Sequence, residues 1–130
     1  MASPAGPSRP IVFEELASLE VEERQMDVYD RPIGIRLLHE EPDSGEEHYL
    51  VRYPAGVRGQ WHRHTAAHTI VVLKGRLEVN GAVIGPGSYC HFPAGMPMRH
   101  LATDAEPCLL LNLFHGPSDV EGLGDAAPEV

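Results

Sequence analysis

Turn signals interrupt the chain at short intervals: EPDSG (41–45), PAG (54–56), KG (74–75), NG (80–81), GPG (85–87), PAG (93–95) and DAEP (104–107). Glycine supplies positive φ, and proline fixes φ and removes a donor, so punctuation this dense leaves room only for short elements. The runs between the turns have strand character: IGIRLLH (33–39), HYLVRY (48–53), HTIVVL (68–73), RLEVN (76–80), SYCHF (88–92) and CLLLNLF (108–114). Several alternate polar with apolar residues, and most are rich in β-branched or aromatic side chains. Short strands separated by turns every ~8–12 residues predict an all-β sandwich or barrel. The strongest local signal is Asn80-Gly81 between RLEV and AVIG, a two-residue hairpin turn in which both residues tolerate positive φ. The one helical candidate is short, near FEELASLEVEE (13–23), and no internal repeat stands out.

A chain of 130 residues with a hydrophobic fraction of 42% suits a single domain with one core. That domain is expected to span 11–115, after a flexible start at 1–10. The C-terminal stretch GPSDVEGLGDAAPEV (116–130) holds Asp119, Glu121, Asp125 and Glu129 and no basic residue, so it is expected to be a flexible, solvating tail. Ten basic against nineteen acidic residues give 10 − 19 = −9. Such a surface repels nucleic-acid phosphates and anionic lipid, which argues against nucleic acid or membrane as partner. Cys90 and Cys108 belong to no CxxC pair and read as small buried hydrophobes in a reducing compartment. The start MASPAGPSRP has no apolar run like that of a signal peptide, and no segment approaches the ~18 apolar residues of a membrane span. The expectation is a soluble cytoplasmic protein.

The chemistry concentrates in GQWHRHTAAHTIVVLKG (59–75), where His62, His64 and His68 precede an apolar run. On a strand, His62 and His64 point to one face with Cα atoms roughly 6.5–7 Å apart, so their imidazoles can converge on one ion. A bend at 65–67 would bring His68 to the same ion from the next strand. The spacing of His64 and His68 also suits a helix, but His62 would then leave the helical face and the residues that follow are β-branched. No glutamate follows His64, so the helical zinc-protease pattern fails. Incidental histidines on a wet loop are the bland alternative; a period-2 pair beside a buried-looking strand favours a metal site. Trp61 points away from its histidine neighbours and is expected to pack. His39, His48 and His115 have no such geometry and are expected to be surface or satisfied histidines.

Written out, the stretch is Gly56-x5-His62-x-His64-x3-His68-x6-Gly75, which resembles the first motif of the cupin superfamily, with His68 where that family more often has glutamate. GSYCHFPAG continues with Gly87-x5-Pro93-x-Gly95, resembling the second motif, although the family's second-motif histidine falls on Met98 and its asparagine on Ala102. The resemblance implies a single-domain cupin, a double-stranded β-helix of the jelly-roll kind, holding one divalent metal ion on four histidines. His100 shares a strand face with Met98 and is the expected fourth ligand; His91, before the Pro93–Gly95 turn, is its rival and a candidate acid or base. Ile70 and Val72 share parity with His68 and, with Met98, are candidates to line a substrate pocket. The resemblance also implies a homodimer, with RPIVF (9–13) as a candidate exchanged strand.

Four neutral imidazoles leave a divalent ion its full charge, which suits a bidentate anionic oxygen ligand such as an enolised 1,3-dicarbonyl. Imidazole ligands alone do not select the metal. Zinc suits a non-redox reaction, as in the polyketide cyclases of natural-product biosynthesis that the chain resembles; this is the leading expectation. Iron or manganese suits a dioxygenase of the dicarbonyl-cleaving or quercetinase-like kind. A non-catalytic sensor of a metal or small ligand is the third reading.

Overall fold

The structure, a computed structural model, describes residues 9–128, so residues 1–8 of the expected flexible start lie outside the described residues. Among the described residues, eleven strands follow one another: β1 Glu22–Arg24, β2 Ile33–Glu40, β3 Glu47–Tyr53, β4 Trp61–His64, β5 His68–Lys74, β6 Leu77–Val79, β7 Ala82–Ile84, β8 Tyr89–Phe92, β9 His100–Ala102, β10 Cys108–Phe114 and β11 Val120–Gly124. Every strand run expected between the turns is present. The helical candidate reduces to one 3-10 turn at Leu16–Ser18, and the residues after it form the edge strand β1.

The strands make an antiparallel sandwich. A six-stranded sheet runs β1-β2-β3-β10-β5-β8, a three-stranded sheet runs β7-β6-β9, and β11 pairs with β4. Strand β10 lies between β3 and β5, which explains why its sequence, CLLLNLF, is apolar at every position but one. Ile33, Val51, Ile70, Val72 and Leu110 of the large sheet pack against Leu77, Val79 and Ala102 of the small one, with Met98 among them. Ile70, Leu77, Met98 and Leu110 are fully buried. Truncating any of them would cost about 2–5 kcal/mol, the transfer term plus the cavity left behind.

Two backbone devices set this geometry. Asn80 and Gly81 turn β6 into β7 with φ of 47° and 90°, the doubly positive pattern expected for this hairpin. Gly59 lets the start of β9 come close. A Cβ there would lie 2.9 Å from the His100 carbonyl oxygen and equally close to the Tyr29 ring. The approach places His100 beside β4.

The C-terminal stretch departs from expectation. Residues 120–124, read from composition as part of a solvating tail, form β11 and complete the sheet edge on β4. Arg63 donates to both carboxylate oxygens of Glu121, at 2.9 and 3.2 Å, and the Gly124 N–H donates to Gln60 Oε1 at 3.0 Å. Acidic composition reported solvent exposure correctly for Glu121 but could not report a pairing partner nearly sixty residues away. The candidate exchanged strand RPIVF forms no strand in this chain. Ile11 and Phe13 line a groove with Leu38, Leu111 and Leu113, and the Arg36 guanidinium lies over the Phe13 ring at 5.7 Å.

Candidate metal centre

The short strand β4 alternates as its sequence requires. His62 and His64 face inward, while Arg63 points to solvent and bonds β11. Trp61 is half-buried, with the Arg99 guanidinium stacked over its ring at 5.5 Å, the packing role expected of it. The bend at 65–67 returns the chain as β5, and His68, its first residue, is buried. His62 and Met98 exchange backbone hydrogen bonds of 2.9 and 2.8 Å, which fixes the register of the strand that carries His100.

The outcome is an arc of four imidazoles. Ring centroids are 5.3 Å apart for His100 and His62, 5.2 Å for His62 and His64, and 4.7 Å for His64 and His68. His68 is stacked between Phe92 at 4.7 Å and Phe114 at 5.0 Å. Among the described residues, no set of three or more His, Cys, Asp or Glu already stands in ligating geometry. The donor chemistry nevertheless fits a metal. His64 Nδ1 and both ring nitrogens of His68 and His100 are buried without a hydrogen-bond partner. Leaving a buried polar atom unpaired costs about 1–3 kcal/mol, so five such atoms in one cluster call for a ligand that the fold itself does not supply. His62 Nδ1 donates to the Gln60 carbonyl at 2.9 Å, leaving Nε2 as the free lone pair, in the manner of a metal-binding histidine held by an outer carbonyl.

Electrostatics keep the cluster uncharged. Burial pushes His64 down to about 4, and the neighbouring His62 adds to this while the carbonyls of Asp119 and Ser118 oppose it. Burial, then His64 and His62, push His68 down to about 3. His100 lies well below the usual histidine range for the same reasons, burial first. His62 is lowered by burial and partly restored by the Gln60 carbonyl. All four are therefore neutral at pH 7, with lone pairs available to a cation.

A pocket of about 220 Å³ opens over three of these histidines, His62, His64 and His100. Its walls are mostly apolar, from Met26, Val28, Ile33, Ile35, Val51, Phe114 and Val120, with Tyr29, Tyr53, Asn112 and Ser118 as neutral polar groups. Arg24 is the one charged lining residue, and no carboxylate lines the pocket. The Tyr29 and Tyr53 hydroxyls share a hydrogen bond of 2.9 Å. Burial raises Tyr29 to about 12 and Tyr53 well above the usual tyrosine value, so both keep their protons.

Two of the sequence expectations are corrected here. Ile70, Val72 and Met98 do not line the pocket; they lie fully buried beneath it, as ordinary core. His91, the candidate acid or base, does not line the pocket. Phe92 takes the inward position opposite His68, so the alternation of β8 turns His91 and Tyr89 outward. There His91 Nδ1 and His115 Nε2 meet the Thr69 hydroxyl at 2.9 and 3.2 Å. It is thus His100, not its rival, that stands in the cluster. Tyr29, Tyr53, Asn112 and Phe114 were missed as pocket residues. Asn112 alone left a trace in the sequence, as the single polar residue of CLLLNLF.

The ChrR cupin-like domain model matches residues 20–119, most of the chain. The chain belongs to this cupin-like family. No curated protein matches it by sequence. Among solved structures it is similar to a putative acetylacetone dioxygenase from Methylibium petroleiphilum PM1, with a TM-score of 0.75 and 16% identity over 100% of this chain and 91% of that one. It is also similar to an acetylacetone dioxygenase from Acinetobacter johnsonii, with a TM-score of 0.70 and 18% identity over 96% and 93%. The polyketide cyclase RemF from Streptomyces resistomycificus superposes with a TM-score of 0.67 and 18% identity over 79% and 80%. At these identities the likeness is one of fold. Among the described residues, no helix of this cupin is long and apolar enough to cross a membrane.

Proposed function

We propose that this cupin is a divalent-metal enzyme acting on a small 1,3-dicarbonyl compound, with His62, His64, His68 and His100 as the metal ligands. The observation that carries the reading is the set of buried, unpartnered imidazole nitrogens at the floor of an apolar pocket. A divalent ion held by these histidines would supply Lewis acidity toward a carbonyl substrate. The chain's own residues do the rest. Met26, Val28, Ile35 and Phe114 exclude water and match an apolar substrate. Of the two protons on the Tyr29–Tyr53 pair, one bridges the two oxygens and the other is left to donate to a substrate oxygen. Because these histidines are neutral at pH 7, protons do not compete with the cation for their lone pairs.

Pocket size bears on the reaction. A volume of 220 Å³ lies below the ~300–1,000 Å³ of most ligand sites, which suits a dicarbonyl of a few carbons. That supports an oxygen-dependent reaction of a small dicarbonyl, in keeping with two similar structures that are named as acetylacetone dioxygenases, one of them putatively. Cyclisation of a polyketide, the leading expectation from sequence, is the second reading. It is supported by the likeness to RemF and by a groove that shares Arg24, Ile35 and Tyr49 with the pocket and would extend it for a longer substrate.

Metal analysis of protein purified without added metal, followed by acetylacetone titration with oxygen monitoring, tests both. Stoichiometric iron or manganese with oxygen uptake is the expected result. Stoichiometric zinc and no oxygen uptake would move the assignment to the non-redox reading. Metal bound without any dicarbonyl binding would make the protein a metal sensor.

A further inference from the structure

Apart from the histidines, other polar groups of the pocket have partners within the fold: Tyr29 and Tyr53 bond each other, and the Ser118 N–H donates to Glu47. Asn112 differs. It lies in the middle of β10, opposite Tyr49 on one side and Ile70 on the other, and is only 6% exposed. Its Oδ1 is buried with no hydrogen-bond partner. It lines the same pocket as His62, His64 and His100. The remaining positions of its strand are Cys, Leu and Phe, so the local sequence offers no structural reason for a carboxamide. A leucine at this position would satisfy the central strand at lower cost, because a buried amide without a partner is destabilising.

We propose that Asn112 reads a hydroxyl group on the substrate, outside its two dicarbonyl oxygens; the inference rests on the dicarbonyl reading above. A hydroxyl both donates and accepts, as does a carboxamide, so one group answers the unpartnered Oδ1 and leaves the amide N–H groups free to bond an oxygen as well. A site with a buried polar group rejects analogues that cannot pair with it, since binding them would seal the unpaired atom away from water. The substrate class is then a hydroxylated small 1,3-dicarbonyl, distinguished from the plain diketone by this one contact.

The test compares acetylacetone with 1-hydroxypentane-2,4-dione and 6-hydroxyhexane-2,4-dione, which place the hydroxyl at two reaches. Binding to the metal-loaded protein is followed by calorimetry. Wild type is expected to bind one hydroxylated dione about tenfold or more tighter than acetylacetone. Asn112→Leu is expected to abolish that preference while keeping metal content. Asn112→Ser, which withdraws the amide without adding bulk, is expected to lose the preference too. The metal-free Asn112→Leu protein should melt at or above the wild-type temperature, which a structural amide would not allow.

The inference is overturned if wild type shows no preference, or if the preference survives both substitutions. It is likewise overturned if Asn112→Leu sheds its metal, since Asn112 would then serve the histidines. Failure of wild type to bind any of the three diones marks a different failure, that of the dicarbonyl reading itself, and this inference falls with it.

Discussion

The eight histidines divide into two groups of four that the same chain treats in opposite ways. His39 and His48 are half-buried and bond Glu41 and Glu46 at 2.6 Å, and His91 and His115 are exposed and share the Thr69 hydroxyl. Each member of this outer group has a partner supplied by the fold. The inner group, His62, His64, His68 and His100, is withdrawn from water, yet one ring nitrogen of His64 and both of His68 and His100 are buried without a partner. The outer four are complete without a ligand. The inner four carry an energetic cost that a bound cation would remove, which is why burial combined with missing partners identifies a site more sharply than histidine count does.

The largest test of this contrast is metal content. His62→Ala and His100→Ala are expected to lower affinity for a divalent metal by at least ~100-fold, more than loss of an outer-shell contact would. His91→Ala and His115→Ala are expected to leave it unchanged. Elemental analysis and a chelator competition read both, and equal behaviour of the two groups would erase the distinction.

A second test is the acid limb of stability in metal-free protein. The folded-state values of His64, about 4, and His68, about 3, lie below the ~6.5 of an unfolded histidine. The unfolded chain therefore binds protons first as pH falls. Stability is fully present above about pH 6.5 and declines as pH drops toward the two folded-state values. Chemical denaturation at pH 7 and pH 5 should show this fall, and a His64→Gln/His68→Gln variant should reduce it, His62 and His100 accounting for the remainder. A wild-type protein equally stable at both values would mean that the cluster is not held neutral by burial.

The smallest effects are opposite in sign. His68→Leu removes two unpartnered nitrogens from between Phe92 and Phe114 and is expected to raise metal-free stability by about 1–2 kcal/mol. His91→Ala removes a satisfied bond at the surface and is expected to lower it by less than about 1 kcal/mol. Thermal unfolding of the two variants beside wild type measures the pair, and a destabilised His68→Leu protein would show that the inner ring has a structural partner after all.

Much of this molecule was legible from local chemistry. The hairpin at Asn80-Gly81 follows from two residues that accept positive φ, and the inward pairing of His62 with His64 follows from the period of two in any strand. The strand runs follow from β-branched and aromatic residues between turn signals. The choice of His100 over His91 was different in kind, because it depends on which face of β8 meets His68. A one-residue slip in pairing would have exchanged Phe92 for His91. The pocket was less legible still. Tyr29, Tyr53 and Asn112 come from separate strands and loops and carry no common spacing.

By itself, then, the sequence determined the all-β character, the turn positions and three of the clustered histidines, since each depends on neighbours within a few residues. Only the tertiary structure decided that His100 completes the arc, that Ile70, Val72 and Met98 are core, and that 120–124 form a strand. These outcomes rest on register between distant strands, where the free energy of pairing and burial is shared by residues that no local pattern connects.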